Sequence, residues 1–293
     1  MPSHAARPRR RLLPLVVGVL VAALVVVAAV AFGLARGDGS DPTTAPRTSA
    51  PTTPPATAAP APAVDACYAL PASALQSAHD ETPAVACTAD HTSQTFAVGT
   101  LTDADLGDPD DVDTGLLAQR ADAQCRAALP AHVGADARTV ALSRLRTAWF
   151  VPTEEDIALG ARWLRCDVVS LRDESSLAQL PDSSEAMLST ADKLERWRTC
   201  AQATLGQLQA GQGQRMCALD HNWRTVGTRK VGEAADAWPG DAAVRGRVLE
   251  RCESQVREYV DDPLATVTVG WLPPTQAQWA EGARYGLCWA ETD

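Results

Sequence analysis

PTEEDIALGARWLRC, residues 152–166, returns as PTQAQWAEGARYGLC at residues 274–288. The two strings align without a gap and share Pro-Thr, an Ala, Gly-Ala-Arg, an aromatic and a closing Cys. Upstream, Cys87-Thr-Ala-Asp90-His91 recurs as Cys217-Ala-Leu-Asp220-His221. Each copy carries four cysteines: Cys67, Cys87, Cys125 and Cys166, then Cys200, Cys217, Cys252 and Cys288. A repeat of cysteines and turn residues in one order reads as a duplicated domain, which sets the domain count first.

Each copy reads as α+β. An extended run, Thr95–Leu101, follows the Asp-His motif and is matched by Thr225–Thr228. A helix comes next, with Leu117, Ala121, Cys125 and Ala128 on one face and Val244, Val248, Cys252 and Val256 on its counterpart. Val267, Val269 and Trp271 alternate with threonines as a half-buried strand, and Leu145, Thr147 and Trp149 are their equivalents. Trp149 and Trp271 are therefore candidate core residues. Pro-Thr then opens a short helix capped by Thr153 or Thr275. We expect this helix to run through Gly-Ala-Arg, where the Gly lets helix and strand approach closely. A final strand closes each copy, Leu164–Leu171 or Gly286–Trp289. Between the copies, Ser184–Leu208 reads as a helix with one apolar face from Leu188 to Leu205.

Outward from the repeats, residues 1–11 are a basic arm containing Arg7, Arg9, Arg10 and Arg11. Residues 12–35 carry no charge, and at ~1.5 Å per residue they reach about 36 Å, enough to cross a bilayer core. The arginines before the span keep the N-terminus cytoplasmic and place the rest outside. A cleaved signal peptide is the competing reading, since Ala29-Val30-Ala31 is a suitable site, but the apolar stretch is long for one. Residues 36–64 form a linker of Pro, Thr and Ala that buries no core and reaches on the order of 85 Å when extended. Module 1 is then 65–172, a connecting helical segment 173–199, and module 2 200–293.

The chain has 26 basic and 36 acidic residues; six arginines and two aspartates precede residue 65, leaving 20 against 34 from residue 65 onward. That balance argues against nucleic acid or an anionic lipid surface as the main partner. Outside the cytoplasm, eight cysteines favour disulfides over free thiols or zinc. Four cysteines allow three pairings in each copy and spacing alone does not choose. We expect Cys67–Cys87 with Cys125–Cys166, and Cys200–Cys217 with Cys252–Cys288.

His91 and His221, each preceded by Asp (Asp90, Asp220), are the candidates for acid–base or metal chemistry. The repeat supplies no nucleophile beside them, and the simpler reading bonds each imidazole to backbone carbonyls beside the disulfide. Cys-x-x-x-His is half a zinc site, but structural zinc wants four ligands in short paired spacings. The acidic run Asp103–Asp113 misses the calcium-loop pattern, and Asp111 and Asp113 sit where they cap a helix. We expect no metal and no cofactor. Arg162 and Arg284 are placed to clamp an anion or, more simply, a local carboxylate such as Asp167. Trp223, Trp238 and Trp289 have no partners in copy one and would either line a glycan or peptide surface or be buried.

These positions resemble the actinobacterial septum-formation domain family, as two tandem copies on a single-pass anchor. The resemblance rests on Cys87, His91, Cys125, Trp149, Pro152, Gly160, Arg162 and Cys166. In the second copy it rests on Cys217, His221, Cys252, Trp271, Pro274, Trp279, Gly282, Arg284 and Cys288. The chain departs from it at Gln94 and Arg224, where the family has Glu, and at Ile157, where copy two has the more family-like Trp279. The resemblance implies a cell-envelope or division-site role. The expected function is a non-catalytic, membrane-anchored, extracytoplasmic binding or scaffold protein contacting envelope or division proteins or wall polymer. The alternatives are an enzyme or metal-dependent module built on the Asp-His motif, and a sensor of envelope state.

Overall fold

The computed structural model describes residues 56–108, 111–262, 266–280 and 282–292. The basic arm, the expected membrane span and the linker to residue 55 lie outside these residues. Among the described residues no helix is long and apolar enough to cross a membrane. The first half runs β1 (Cys67–Tyr68), β2 (Ala84–Val85), β3 (Ser93–Thr100), α1 (Asp103–Leu106), β4 (Gly107–Asp108), β5 (Asp111–Val112), α2 (Thr114–His132), α3 (Ala137–Ala141), β6 (Leu145–Phe150), α4 (Glu154–Ala158) and β7 (Trp163–Ser170). After α5 (Ala191–Trp197) the second half runs β8 (Thr199–Ala201), α6 (Leu205–Gln209), β9 (Gln214–Met216), β10 (Trp223–Lys230), α7 (Asp241–Val260), β11 (Val269–Leu272), α8 (Gln276–Ala280) and β12 (Tyr285–Glu291).

The fold is α+β with two five-stranded antiparallel sheets. Their orders, β2-β1-β3-β7-β6 and β9-β8-β10-β12-β11, correspond strand for strand. Even the irregularity is shared: the register of β3 on β7 shifts between Thr95 and Ala97, and that of β10 on β12 between Thr225 and Gly227. An added residue at such a point sharpens the local twist, so both sheets bend at the same place.

One long helix covers one face of each sheet. Asp113 starts α2 by accepting from the backbone N–H groups of Gly115 and Leu116. Leu117, Ala121, Cys125 and Leu129 then recur every four residues and are buried. In α7 the equivalent stripe is Val244, Val248, Cys252 and Val256, all buried. Burying each leucine or valine of these stripes stabilises by ~1.5–3 kcal/mol. Gly286 in β12 lets α7 come close, since a Cβ there would lie 2.3 Å from a Val248 methyl. All four expected bridges are present: Cys67–Cys87, Cys125–Cys166, Cys200–Cys217 and Cys252–Cys288. In each half one bridge ties the first strand to the turn after the second, and the other ties the long helix to the sheet. Trp149 and Trp271 stand opposite Cys166 and Cys288 on the neighbouring strand and pack, half-buried, against the two helix-covered cores.

Thr153 and Thr275 cap α4 and α8, accepting from the N–H groups of Asp156 and Gln278. Both helices stop before Gly-Ala-Arg rather than running through it. Gly160 (φ 99°) and Gly282 (φ 93°) take positive φ, and nothing lies within 4 Å of a Cβ built on either. These glycines therefore end the helix and are not close-approach points. The strand expected from Val267 begins at Val269.

The helix expected over Ser184–Leu208 is broken into three pieces. Thr190 caps α5, which ends at Trp197. Cys200 is then drawn into β8 by its pairing with β9 and β10 and by the bridge to Cys217. Thr204 caps the separate α6. The connecting segment does not stand between two cores. Ala178, Leu180, Met187, Leu188, Leu194 and Trp197 lie in the core of the first half, joined there by Met216 of β9. Arg144 fastens the junction. Its guanidinium donates to the carbonyls of Leu171 and Asp173 and to the Gln214 side chain, and burial lowers its pKa to about 9. Ser143 and Arg198 form a β-bridge alongside.

The faces of the two sheets turned away from the long helices differ chemically. In the first half Arg165 lies between the rings of Tyr68 and Phe150, 4.1 and 4.2 Å from their centroids. It pairs with Asp80 (2.7 Å) and Asp167 (3.1 Å), and Ser93 and Thr95 donate to Asp167. In the second half the matching strand positions hold Leu287, Trp289 and Trp223, with Thr225 retained. Trp223 and Trp289 pack there with Ala201, Ala203 and Leu208.

Burial pushes the Asp167 carboxyl above its ordinary range, and Arg165 is the strongest influence pulling it back. Arg165→Leu leaves two buried carboxylates uncompensated and is expected to cost about 3–5 kcal/mol at neutral pH. A carboxyl with a raised folded pKa stabilises the fold below its unfolded value and loses that contribution as pH rises. The deficit of Arg165→Leu should therefore shrink as pH falls toward 4. Adding Asp80→Leu and Asp167→Leu, which copies the apolar chemistry of the second half, should recover most of it. Urea unfolding of the three proteins at two pH values checks this.

Candidate functional site

The two Asp-His motifs occupy equivalent turns leading into β3 and β10. His91 is buried and its Nδ1 contacts the Ala89 carbonyl at 2.8 Å; His221, half-exposed, contacts the Leu219 carbonyl at the same distance. Each ring thus closes its own turn two residues back. Asp90 and Asp220 are exposed, and among the described residues no hydrogen bond joins either to its neighbouring imidazole. Neither motif holds an oriented carboxylate–imidazole pair among the described residues. His91 Nε2 is buried without a partner among the described residues and cannot be reached by a substrate in this arrangement.

Arg162 and Arg284 also face inward. Arg162 donates to the carbonyls of Ile157 and Ala161, and Arg284 to those of Trp279 and Ala283. Each thus reaches one carbonyl in the last turn of the short helix, which also accepts from the glycine N–H, and one carbonyl just beyond it, at a helix end that is a favourable place for a cation. Arg284 also donates to the Glu233 and Ala234 carbonyls and lies over the Trp279 ring. Arg162 does not pair with Asp167, which Arg165 holds; its nearest carboxylate is Asp103, at 3.8 Å.

Gln94 and Arg224 hold the incoming chain. The Gln94 side chain accepts from the Ser184 N–H at 2.6 Å, and Arg224 pairs with Glu195. Asp103 and Asp105 lie in α1, whose cap is Thr102, so the acidic run is folded as a helix start followed by the Asp113 cap.

The residues that the sequence did not single out form a cleft of about 460 Å³ where α3 of the first half meets β10, α7 and β12. Arg138, Arg229, Lys230 and Arg251 line it, with the hydroxyls of Ser254 and Tyr285 and one carboxylate, Glu258. Arg138 Nε donates to Thr228 Oγ1 at 3.2 Å, which aims it across the junction. Lys230 is tied to Glu233 at 2.5 Å. Arg229-Lys230 was the signal available in the sequence, but Arg138 and Arg251 join it only through the fold.

The septum-formation family matches residues 64–288, a single span that takes in both sheets and all eight cysteines. The chain belongs to the septum-formation family. No curated protein and no solved structure matches it significantly.

In this septum-formation protein the tryptophans are structural. Trp223 and Trp289 are buried, and Trp238 packs edge-on against Trp279 with ring centroids 5.3 Å apart. They do not form the exposed aromatic surface that was one reading of the sequence. Because His91 is buried and His221 half-exposed, His91→Ala is expected to cost about 1–3 kcal/mol and His221→Ala clearly less. Thermal or urea unfolding of the two variants measures the difference.

Proposed function

We propose that this septum-formation protein is a single-pass, membrane-anchored scaffold outside the cytoplasm, acting without catalysis in septum formation or wall assembly. The two halves are tandem copies of one disulfide-bonded unit, and the arginine-, alanine- and valine-rich composition fits an actinobacterial source. The observation that carries this reading is the use made of the repeated polar side chains. His91 and His221 close turns, and Arg162 and Arg284 cap helices, through backbone carbonyls of their own half. What duplication retains is thus a rigid, cross-linked frame, suited to presenting a surface to envelope or division proteins or to wall polymer. Four disulfides favour an oxidising compartment, and the uncharged stretch over residues 12–35 suits an anchor.

The test is protease shaving of intact cells, combined with imaging of a C-terminal fluorescent fusion that matures outside the cytoplasm. The expected result is a digestible C-terminal part enriched at division septa. Septation should be kept by a folded His91→Gln/His221→Gln double variant. A protected C-terminus, or loss of septation in the double variant at wild-type stability, overturns the reading.

A further inference from the structure

The two halves provide an internal control for the basic cleft. Counting from the bridge that joins helix to sheet, Arg251 of α7 matches Gln124 of α2, and Ser254 matches Ala127. Along the paired strands, Arg229 (opposite Gly286) matches Gly99 (opposite Leu164), and Lys230 matches Thr100. The first half thus carries no cation at any of these four positions. There the Gln124 amide lies over Gly99, 2.5 Å from where a Cβ would stand. The same fold is therefore built with small or neutral residues at these positions, and folding does not call for the cations of the second half.

The cations are also free to act. Arg138, Arg229 and Arg251 have no ion-pair partner among the described residues. They converge although acidic residues outnumber basic ones 34 to 20 from residue 65 onward. Gathering like charges raises the energy of the free protein unless an anion offsets them.

We propose that this cleft is a binding site for a phosphoryl-bearing oligoanion, a phosphodiester or polyphosphate chain, held jointly by the two halves. Three guanidinium forks and the Tyr285 hydroxyl supply more donors than one carboxylate accepts, and they match the non-bridging oxygens of a phosphoryl chain, two on each internal unit and three on a terminal one. More than one such group is needed to engage cations that come from α3, β10 and α7. The volume suits a short segment of chain. A bilayer is the poorer occupant: a flat anionic surface reaches a concave cleft badly and is repelled by the acidic surroundings. Glu258 sets one side of the cleft against a second anion.

The experiment is titration calorimetry of the full-length protein in neutral detergent with tripolyphosphate and with a soluble glycerol-phosphate oligomer, at low and physiological salt. One saturable site per chain is expected, weakening as salt rises. Arg251→Gln, which installs the residue the first half already carries, should weaken binding at least tenfold without changing the melting temperature. Arg138→Ala should do the same from the other half, while Arg120→Gln, on the exposed face of α2, should leave binding unchanged. Ser254→Ala, again copying the first half, should change it little, since that hydroxyl donates to the Arg251 carbonyl. The absence of a saturable site, equal binding by Arg251→Gln and Arg138→Ala, equally tight binding of citrate, or binding to phosphatidylglycerol vesicles but not to the soluble oligomer would each overturn the proposal. Septal localisation is read separately, so a failure here leaves that result standing.

Discussion

The clamp between long helix and sheet is the constraint on which each half depends. Each five-stranded sheet carries a single long helix, seated on it by one stripe of apolar side chains. Cys125–Cys166 and Cys252–Cys288 fix one point of each helix against the strand that pairs with β3 or β10. Cross-links of this kind contribute ~2–4 kcal/mol, chiefly by limiting the unfolded chain. With that point fixed, the apolar stripe of the helix can settle onto the sheet, and the short helix, its glycine stop and its arginine cap follow in the same order in both halves.

Around this common frame the halves have taken different physical solutions. The face away from the helix is held in the first half by a buried arginine between two carboxylates and two rings, and in the second by tryptophans and leucines. A buried ion pair stabilises little over an apolar replacement once desolvation is counted, but it is costly to break on one side. The same permissiveness shows on the outer groove between helix and sheet. Neutral residues stand there in the first half and arginines line it in the second. Positions that the frame does not constrain are where the halves differ.

What could be read from the sequence was what lies close together along the chain. The helix faces through Cys125 and Cys252, the threonine caps and the closing strands follow from spacing within a dozen residues. The bridges agree with the expected pairing, although spacing left three possibilities open. Arg165 and Asp167 illustrate the opposite case. Alternating with Leu164, Cys166 and Val168, they look like the solvent side of a strand, yet β7 is buried on both faces, and its charges find partners from residue 80 and from β3. The segment from Ser184 to Leu208 has helical spacing, but strand pairing of Cys200 overrides it. The basic cleft draws on residues 138, 229 and 251, whose proximity only tertiary structure creates. Gly160 and Gly282 were recognised as repeated, but their use, backbone conformation rather than close packing, depends on a dihedral angle that sequence does not display.

The connectivity of the bridges bears on how the chain reaches its native state. Counted from the N-terminus, the cysteines pair first with second, third with fourth, fifth with sixth and seventh with eighth. Synthesis proceeds from the N-terminus, so each thiol's native partner is the next one to emerge. An oxidant that joins thiols in order of appearance therefore makes the correct set directly, with no crossed bond to undo. The first half nevertheless waits for its last core residue, Met216, which arrives one position before the sixth cysteine. By chain order, then, all four cysteines of the first half are available to pair before the last residue of its core has been made.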